Sequence, residues 1–132
     1  SYERPRYIPS ILRIAKIYEE QLHDRAKARD ALHRLYAEFK TSTLRDDALW
    51  READLWQKDG DKDTACDRLS TLASDFPDSR YVPCVVDRCP SVKRPSKSKA
   101  PKTCHPYLLR EHQDEGDTTS PTIDTARPDV PK

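Results

Sequence analysis

With two glycines in 132 residues, the chain has no place for a phosphate-cradling loop, whose backbone must approach an anion at several successive positions. No apolar run approaches the roughly 20 residues that cross a bilayer as a helix, and no signal peptide is visible. Charge nearly cancels, at +1 overall, so no global field steers the chain toward nucleic acid or a membrane surface. Hydrophobic residues make up 35% and charged residues 36%, which predicts a small core under a large wet surface. The length allows one domain plus, at most, a tail. The chain opens at Ser1 instead of methionine, as expected of a processed or truncated product.

Asp46 to Ser79 carries the strongest pattern. Ala48, Leu49, Ala53 and Trp56 recur at spacings of three to four, giving one apolar stripe on a first helix. Gly60, between Asp59 and Asp61, supplies a turn. Ala65, Leu69, Leu72, Ala73 and Phe76 then mark the inner face of a second helix, stopped by Pro77. The small residues Ala53 and Ala65 permit close approach, so the stretch reads as an antiparallel helical hairpin. The same pattern occurs one unit earlier. Ala15 and Tyr18 precede Ala53 and Trp56 by 38 residues, whereas Ala28, Leu32, Leu35, Phe39 and Ser42 precede Ala65, Leu69, Leu72, Phe76 and Ser79 by 37. The one-residue difference falls in the inter-helix turn, where a length change is cheapest. A period in this range predicts an all-α fold of two stacked hairpins, an α-solenoid fragment. Its helices are expected over Ile8–Leu22, Arg25–Lys40, Asp46–Lys58 and Lys62–Asp75, with Arg80–Arg88 as a truncated cap.

Leu49, Ala53, Trp56, Gly60, Ala65 and Pro77 sit where the tetratricopeptide repeat places an apolar residue, a small one, an aromatic, glycine, alanine and proline, and the second unit resembles that motif over its whole length. The first unit departs from it, with Leu22 in place of the glycine and Lys40 in place of the proline. The Phe-Pro-Asp-Ser ending, followed by Tyr81, resembles the variant found in envelope lipoproteins of the TolA-binding and outer-membrane-assembly type. The resemblance implies a protein-binding groove lined by the first helix of each hairpin. It would be formed by Leu12, Lys16, Glu19 and Glu20 from unit one, with Trp50, Asp54, Gln57 and Lys58 from unit two. Trp50 has two readings: an interface anchor, tryptophan being enriched at binding hot spots, or a packing residue against a neighbouring helix.

Residues 90–132 hold seven of the eleven prolines, basic residues first (Lys93, Arg94, Lys97, Lys99, Lys102) and acidic ones last (Asp114, Glu115, Asp117, Asp124, Asp129). They read as an irregular, proline-rich, cysteine-containing arm following a helical domain over 1–89. Within it Tyr107, Leu108 and Leu109 form one compact apolar cluster, expected to anchor the arm on another chain. Cys84, Cys89 and Cys104 are the disulfide candidates, pointing to an oxidising, extracytoplasmic compartment; Cys84 with Cys89, or Cys89 with Cys104, are the local pairings. Together with His105 these cysteines do not match a known zinc-ligand spacing, and Thr103-Cys104-His105 lacks the second cysteine of a haem-attachment motif. His105 as an axial ligand to a partner's haem stays open. No metal or other cofactor is expected.

Catalytic arrangements are equally scarce. His23, His33, His105 and His112 have no nucleophile at a family-like spacing, and Asp59-Gly60-Asp61-Lys62-Asp63 lacks the glutamate that closes a calcium loop. The chain is expected to be non-enzymatic, to bind protein and not nucleic acid, and to have no membrane span. Two roles fit: a self-associating subunit of an extracytoplasmic assembly, such as a filament or its sheath, whose tail wraps a neighbour; or a monomeric periplasmic adaptor binding a peptide or protein in its groove.

Overall fold

A computed structural model describes residues 7–110, with side chains from residue 10 onward. The described residues form five α-helices and no strand: α1 (Tyr7–Glu20), α2 (Arg25–Glu38), α3 (Arg45–Lys58), α4 (Lys62–Asp75) and α5 (Val82–Arg88), followed by a 3-10 turn at Pro106–Leu109. The fold is all-α. The lead-in residues 1–6 and the acidic end of the tail lie outside the described residues.

The repeat is written into the element bounds. α3 starts and ends 38 residues after α1, and α4 starts and ends 37 after α2. Both second helices are capped alike. The Asp24 carboxylate accepts the Lys27 amide at 3.0 Å, and the Asp61 carboxylate accepts the Thr64 amide at 3.0 Å, satisfying one of the amides left open at each helix start. That bond to the Thr64 backbone, joined by one from the Thr64 hydroxyl, holds the Asp61 carboxyl below the usual carboxylate range. Phe39 and Phe76 end the helices at matching C-caps, so α2 stops two residues short of the expected Lys40. α1 likewise stops at Glu20, where the amides of Leu22 and Asp24 leave the helical pattern and bond to the carbonyls of Ile17 and Tyr18.

The turn corrects one alignment. Leu22 does not stand in for Gly60; His23 does, with φ of 52° against 85° for the glycine. Both sit in the left-handed region, which an L side chain enters at a cost of about 1–2 kcal/mol. No atom lies within 4 Å of where a Cβ at Gly60 would project, so Gly60→Ala is expected to cost about 1 kcal/mol through the backbone alone. His23→Gly relieves that strain but loosens the unfolded chain, and a net change within about 0.5 kcal/mol is expected. Urea denaturation midpoints of the two variants check both values.

Packing follows the stripes. Ile11, Leu12, Ala15, Ala28, Leu32, Leu35, Phe39, Leu44, Ala48 and Leu55 form the core of unit one and its seam with unit two. A second core joins Leu49, Ala53, Ala65, Leu69, Leu72 and Ala73 to Tyr81, Val82, Val85 and Cys89. The seam also carries polar bonds. Buried Glu52 on α3 pairs with His33 Nδ1 of α2 at 2.9 Å, and accepts from Arg68 Nε of α4 at 2.8 Å and from Trp56 Nε1 at 3.1 Å. Asp59 accepts from Arg25 at 2.5 Å and from Arg29, bonds that hold its carboxyl below the ordinary range. Arg29 also lies over the Trp56 ring, 3.9 Å from its centre.

The inter-repeat turn recurs after α4. Ser42 N–H bonds to the Phe39 carbonyl and Leu44 N–H to Ser42 Oγ; Ser79 and Tyr81 repeat both bonds with Phe76 and Ser79. α5 thus starts where the first helix of a third unit would, and its Val82, Pro83, Cys84 and Val85 are buried as the expected cap.

Residues 90–110 are not a detached arm. Two disulfides, Cys66–Cys89 and Cys84–Cys104, tie this segment and α5 to α4. Neither local pairing forms: Cys84 and Cys89 lie five residues apart along α5 and its C-cap, which turns their side chains away from each other. Ala100 and Leu108 are buried in the second core and Leu109 packs against it. Arg94 gathers the loop, donating to the carbonyls of Pro101 at 2.6 Å and Ala100 at 2.5 Å. Lys99 N–H donates to Asp78 at 2.7 Å, and the Ser98 hydroxyl donates to the Pro77 carbonyl. The intermolecular anchor assigned to Tyr107, Leu108 and Leu109 is therefore corrected: Leu108 and Leu109 pack on their own chain and only Tyr107 is exposed, stacked on His105 at 5.2 Å between ring centres. Burying Leu108 removes apolar surface worth about 1.5–3 kcal/mol.

Candidate functional site

α1 and α3 are the first helices of consecutive hairpins, so their side chains share one concave face. Between them, and ending at α5, lies a cleft of about 350 Å³. Lys16, Glu19 and Glu20 line it from α1, Trp50, Arg51, Asp54 and Lys58 from α3, Arg88 from α5 and Leu109 from the returning segment, with Ala15, Leu32, Leu55 and Tyr81 behind them.

A row of alternating charge crosses this space. Lys58 Nζ donates to Glu19 across the cleft at 2.9 Å and lies 3.4 Å from Asp54 one turn back, while Asp54 lies 3.6 Å from Arg88. The hydrogen bond to Glu19 chiefly raises the Lys58 pKa, with Asp54 adding to it. These groups are partly exposed, so their pairing contributes little to stability and is available for exchange with a ligand's charges.

Trp50 ends the cleft as a packed residue. Its ring stacks on Tyr81 at 5.0 Å and 9°, and the Arg88 guanidinium lies over it at 4.4 Å. Only 8% of Trp50 is exposed, so the packing reading holds and the open hot-spot anchor does not. Below it, the Tyr81 hydroxyl donates to fully buried Asp47. Burial, then the Asp47 charge and that bond, pushes the Tyr81 pKa far up. Arg80 completes the group, donating to Asp47 at 3.1 Å, the Tyr81 hydroxyl at 2.7 Å, and the carbonyls of Leu108 and Arg110 at 2.7 Å each.

Of the residues anticipated for the groove, the structure brings together Lys16, Glu19, Glu20, Trp50, Asp54 and Lys58. Leu12 is buried in the first core instead, and Gln57 is exposed outside the cleft. Sequence reasoning missed Arg51, Tyr81, Arg88 and Leu109. The recurrence of the Ser42–Leu44 turn at Ser79–Tyr81 is the signal that places α5 beside α3. Leu109 has no such signal. Among the described residues no three His, Cys, Asp or Glu side chains converge as metal ligands, and no helix is long and apolar enough to cross a membrane.

The family model for the tetratricopeptide repeat matches residues 10–42 and 47–79. Neither the curated proteins nor the solved structures contain a match.

Proposed function

The chain belongs to the tetratricopeptide repeat family, and on that premise we propose that it is a non-enzymatic protein–protein interaction module whose α1/α3 cleft holds an extended segment of a protein partner. One observation carries this reading: first helices from two separate repeats bring seven charged side chains of both signs, counting Arg88 of α5, around one open concavity. A space of about 350 Å³ takes a few side chains of an extended segment. Its mixed lining favours a polar segment carrying both charges, which would exchange with the Glu19–Lys58–Asp54–Arg88 row.

Two disulfides support an extracytoplasmic setting, since such bonds persist in oxidising compartments. The Phe76–Tyr81 ending, similar to that of envelope lipoproteins of the TolA-binding type, points the same way. The adaptor is favoured over the filament subunit. End-to-end stacking needs two open ends, and α5 with residues 90–110 occupies the C-terminal one.

Selection of a random peptide library on the oxidised chain tests the reading. The double variant Lys16→Glu/Glu20→Lys keeps an opposite-charge pair at i,i+4 while reversing the rim, and is expected to weaken selected peptides about tenfold. Lys62→Glu, exposed at the start of α4, leaves them unaffected. Peptides indifferent to the rim reversal overturn the proposal.

A further inference from the structure

Charge is unevenly spread along this nearly neutral chain. From Pro90 to Leu109 the sequence holds five lysines and arginines and no carboxylate, and four of the five are lysines. All four lysines are exposed. Arg94 is used differently, its guanidinium gathering the carbonyls of Ser98, Ala100 and Pro101. That clasp closes residues 94–101 into a loop, with Lys97 and Lys99 on its span and Lys93 and Lys102 at its two ends. The Ser98 hydroxyl on Pro77 and the Lys99 amide on Asp78 fasten the loop to the turn after α4. The disulfides at Cys89 and Cys104 hold the chain on either side.

In the α1/α3 cleft, Lys58 and Arg88 lie against Asp54. The four loop lysines differ: among the described residues none of them forms an ion pair with a carboxylate. Like charges gathered on one fastened loop focus a positive potential, and a ligand bearing several negative charges meets them with little ordering left to do. Lysines are point charges, without the planar fork by which arginine grips a single phosphate, and so suit charges spaced along a polymer. Close by in sequence, exposed Tyr107 stacks on exposed His105 at 5.2 Å and 7°. No other large apolar side chain of this segment is exposed, too little to insert into a bilayer. The two disulfides favour an oxidising compartment, away from the nucleic acids of the cell interior.

From this we propose that the Lys93–Lys102 loop binds an anionic polysaccharide, a polymer whose sugar rings carry carboxylate or sulfate groups. Lys93, Lys97, Lys99 and Lys102 meet the polymer's charges, and the Tyr107 ring packs on the C–H face of a sugar. An aromatic ring with a polar tip suits a surface that is apolar on its face and hydroxylated at its edge. The α1/α3 cleft uses other residues, so a chain anchored to a polymer by this loop keeps its cleft open for a protein segment.

Calorimetric titration of the oxidised full chain with heparin and with polygalacturonate tests the proposal, with neutral dextran as the control. Both acidic polymers are expected to bind at low salt, and dextran not to bind. Lys97→Glu/Lys102→Glu lowers the heparin affinity about tenfold or more and flattens its salt dependence, because fewer counterions are released. Lys40→Glu/Lys62→Glu, an equal charge change on exposed lysines elsewhere, leaves the affinity within about twofold, since distant exposed charges are screened. Tyr107→Ala weakens binding about fivefold with the salt dependence unchanged, the mark of a contact other than charge. Far-ultraviolet circular dichroism confirms that each variant keeps its helices. No binding to either acidic polymer overturns the proposal and leaves the lysines to the six carboxylates of residues 111–132 or to an acidic protein. Equal losses from the two lysine pairs, or no loss from Tyr107→Ala, overturn it as well. So does tighter binding of duplex DNA or of phosphatidylglycerol vesicles than of either polysaccharide. Peptide binding in the cleft is read separately and does not depend on this result.

Discussion

Replacing Cys84 and Cys104 by serine is expected to lower stability by about 3 kcal/mol, a fall in melting temperature on the order of 10–20 °C for a domain of this size. The bond closes a separation of 20 residues, and closing a loop of that length restricts the unfolded chain more than the folded one. The native state changes locally too. Without Cys84–Cys104, residues 90–110 keep Leu108, Ala100 and the arginine–carbonyl bonds, but lose the covalent hold on α5. Amide exchange should therefore rise through residues 90–110 and to a lesser degree in α4, whose core includes Tyr81, Val82, Val85, Ala100 and Leu108, while α1 and α2 keep their protection, because the first core consists of hairpin residues alone. Loss of Cys66–Cys89, with a separation of 23, has a similar cost but also frees the end of α5 from α4. A melting temperature within 2–3 °C of the parent, equivalent to under about 1 kcal/mol, would contradict this account of how the C-terminal end is sealed.

Arg80→Met is expected to destabilise the chain by about 1–3 kcal/mol, since it removes a charged donor to fully buried Asp47. Losing a charged donor to a buried carboxylate costs more than the bond contributes net. The same substitution releases the Leu108 and Arg110 carbonyls, so the returning segment loosens together with the buried group. Tyr81→Phe probes the other side of Asp47. It removes the hydroxyl donor and the alkaline dependence that goes with it. The Tyr81 pKa is raised in the folded state, mainly by burial and then by Asp47, so its contribution is fully present below the unfolded tyrosine value near 10 and is lost as pH rises beyond it. Stability of the parent measured from pH 8 to pH 11 should fall more steeply than that of Tyr81→Phe. Parallel curves would remove Tyr81 ionisation as the cause.

The helices were readable because two copies of one pattern share a chain. The Ala53–Ala65 and Ala15–Ala28 pairs set the offsets, and α4 begins and ends at the residues expected. The discrepancies lie where side chains compete with pattern. His23 takes a left-handed turn that favours glycine, and Phe39 closes α2 early by dropping into the first core. The groove was partly legible for the same reason: Lys16, Glu19, Asp54 and Lys58 follow from knowing which helix of each hairpin faces inward. Trp50 was ambiguous because its packing partners, Tyr81 and Arg88, belong to an abbreviated third unit that no full repeat announces.

The segment after Cys89 misled for a physical reason. Its composition is that of a solvated arm, with Ala100 and Leu108 isolated among prolines, lysines and serines. Periodicity detects neither disulfides nor arginine–carbonyl bonds, and these are what hold it down. Arg80 and Arg94 do much of that work from positions that resemble ordinary surface charges. Cysteine spacing alone allows several pairings, and the fold selects the two that link α5 and the returning segment to neighbouring elements.

The claim that the α1/α3 cleft is the binding site is tested most directly by amide chemical-shift mapping of the oxidised chain with a peptide selected on it. Shifts are expected at Lys16, Glu19, Glu20, Arg51, Asp54, Lys58 and Arg88, together with the indole of Trp50 at the cleft's end. Saturating shifts confined to the Ile14–Ala31 face or to the outer side of α4, with the cleft residues unmoved, would contradict it.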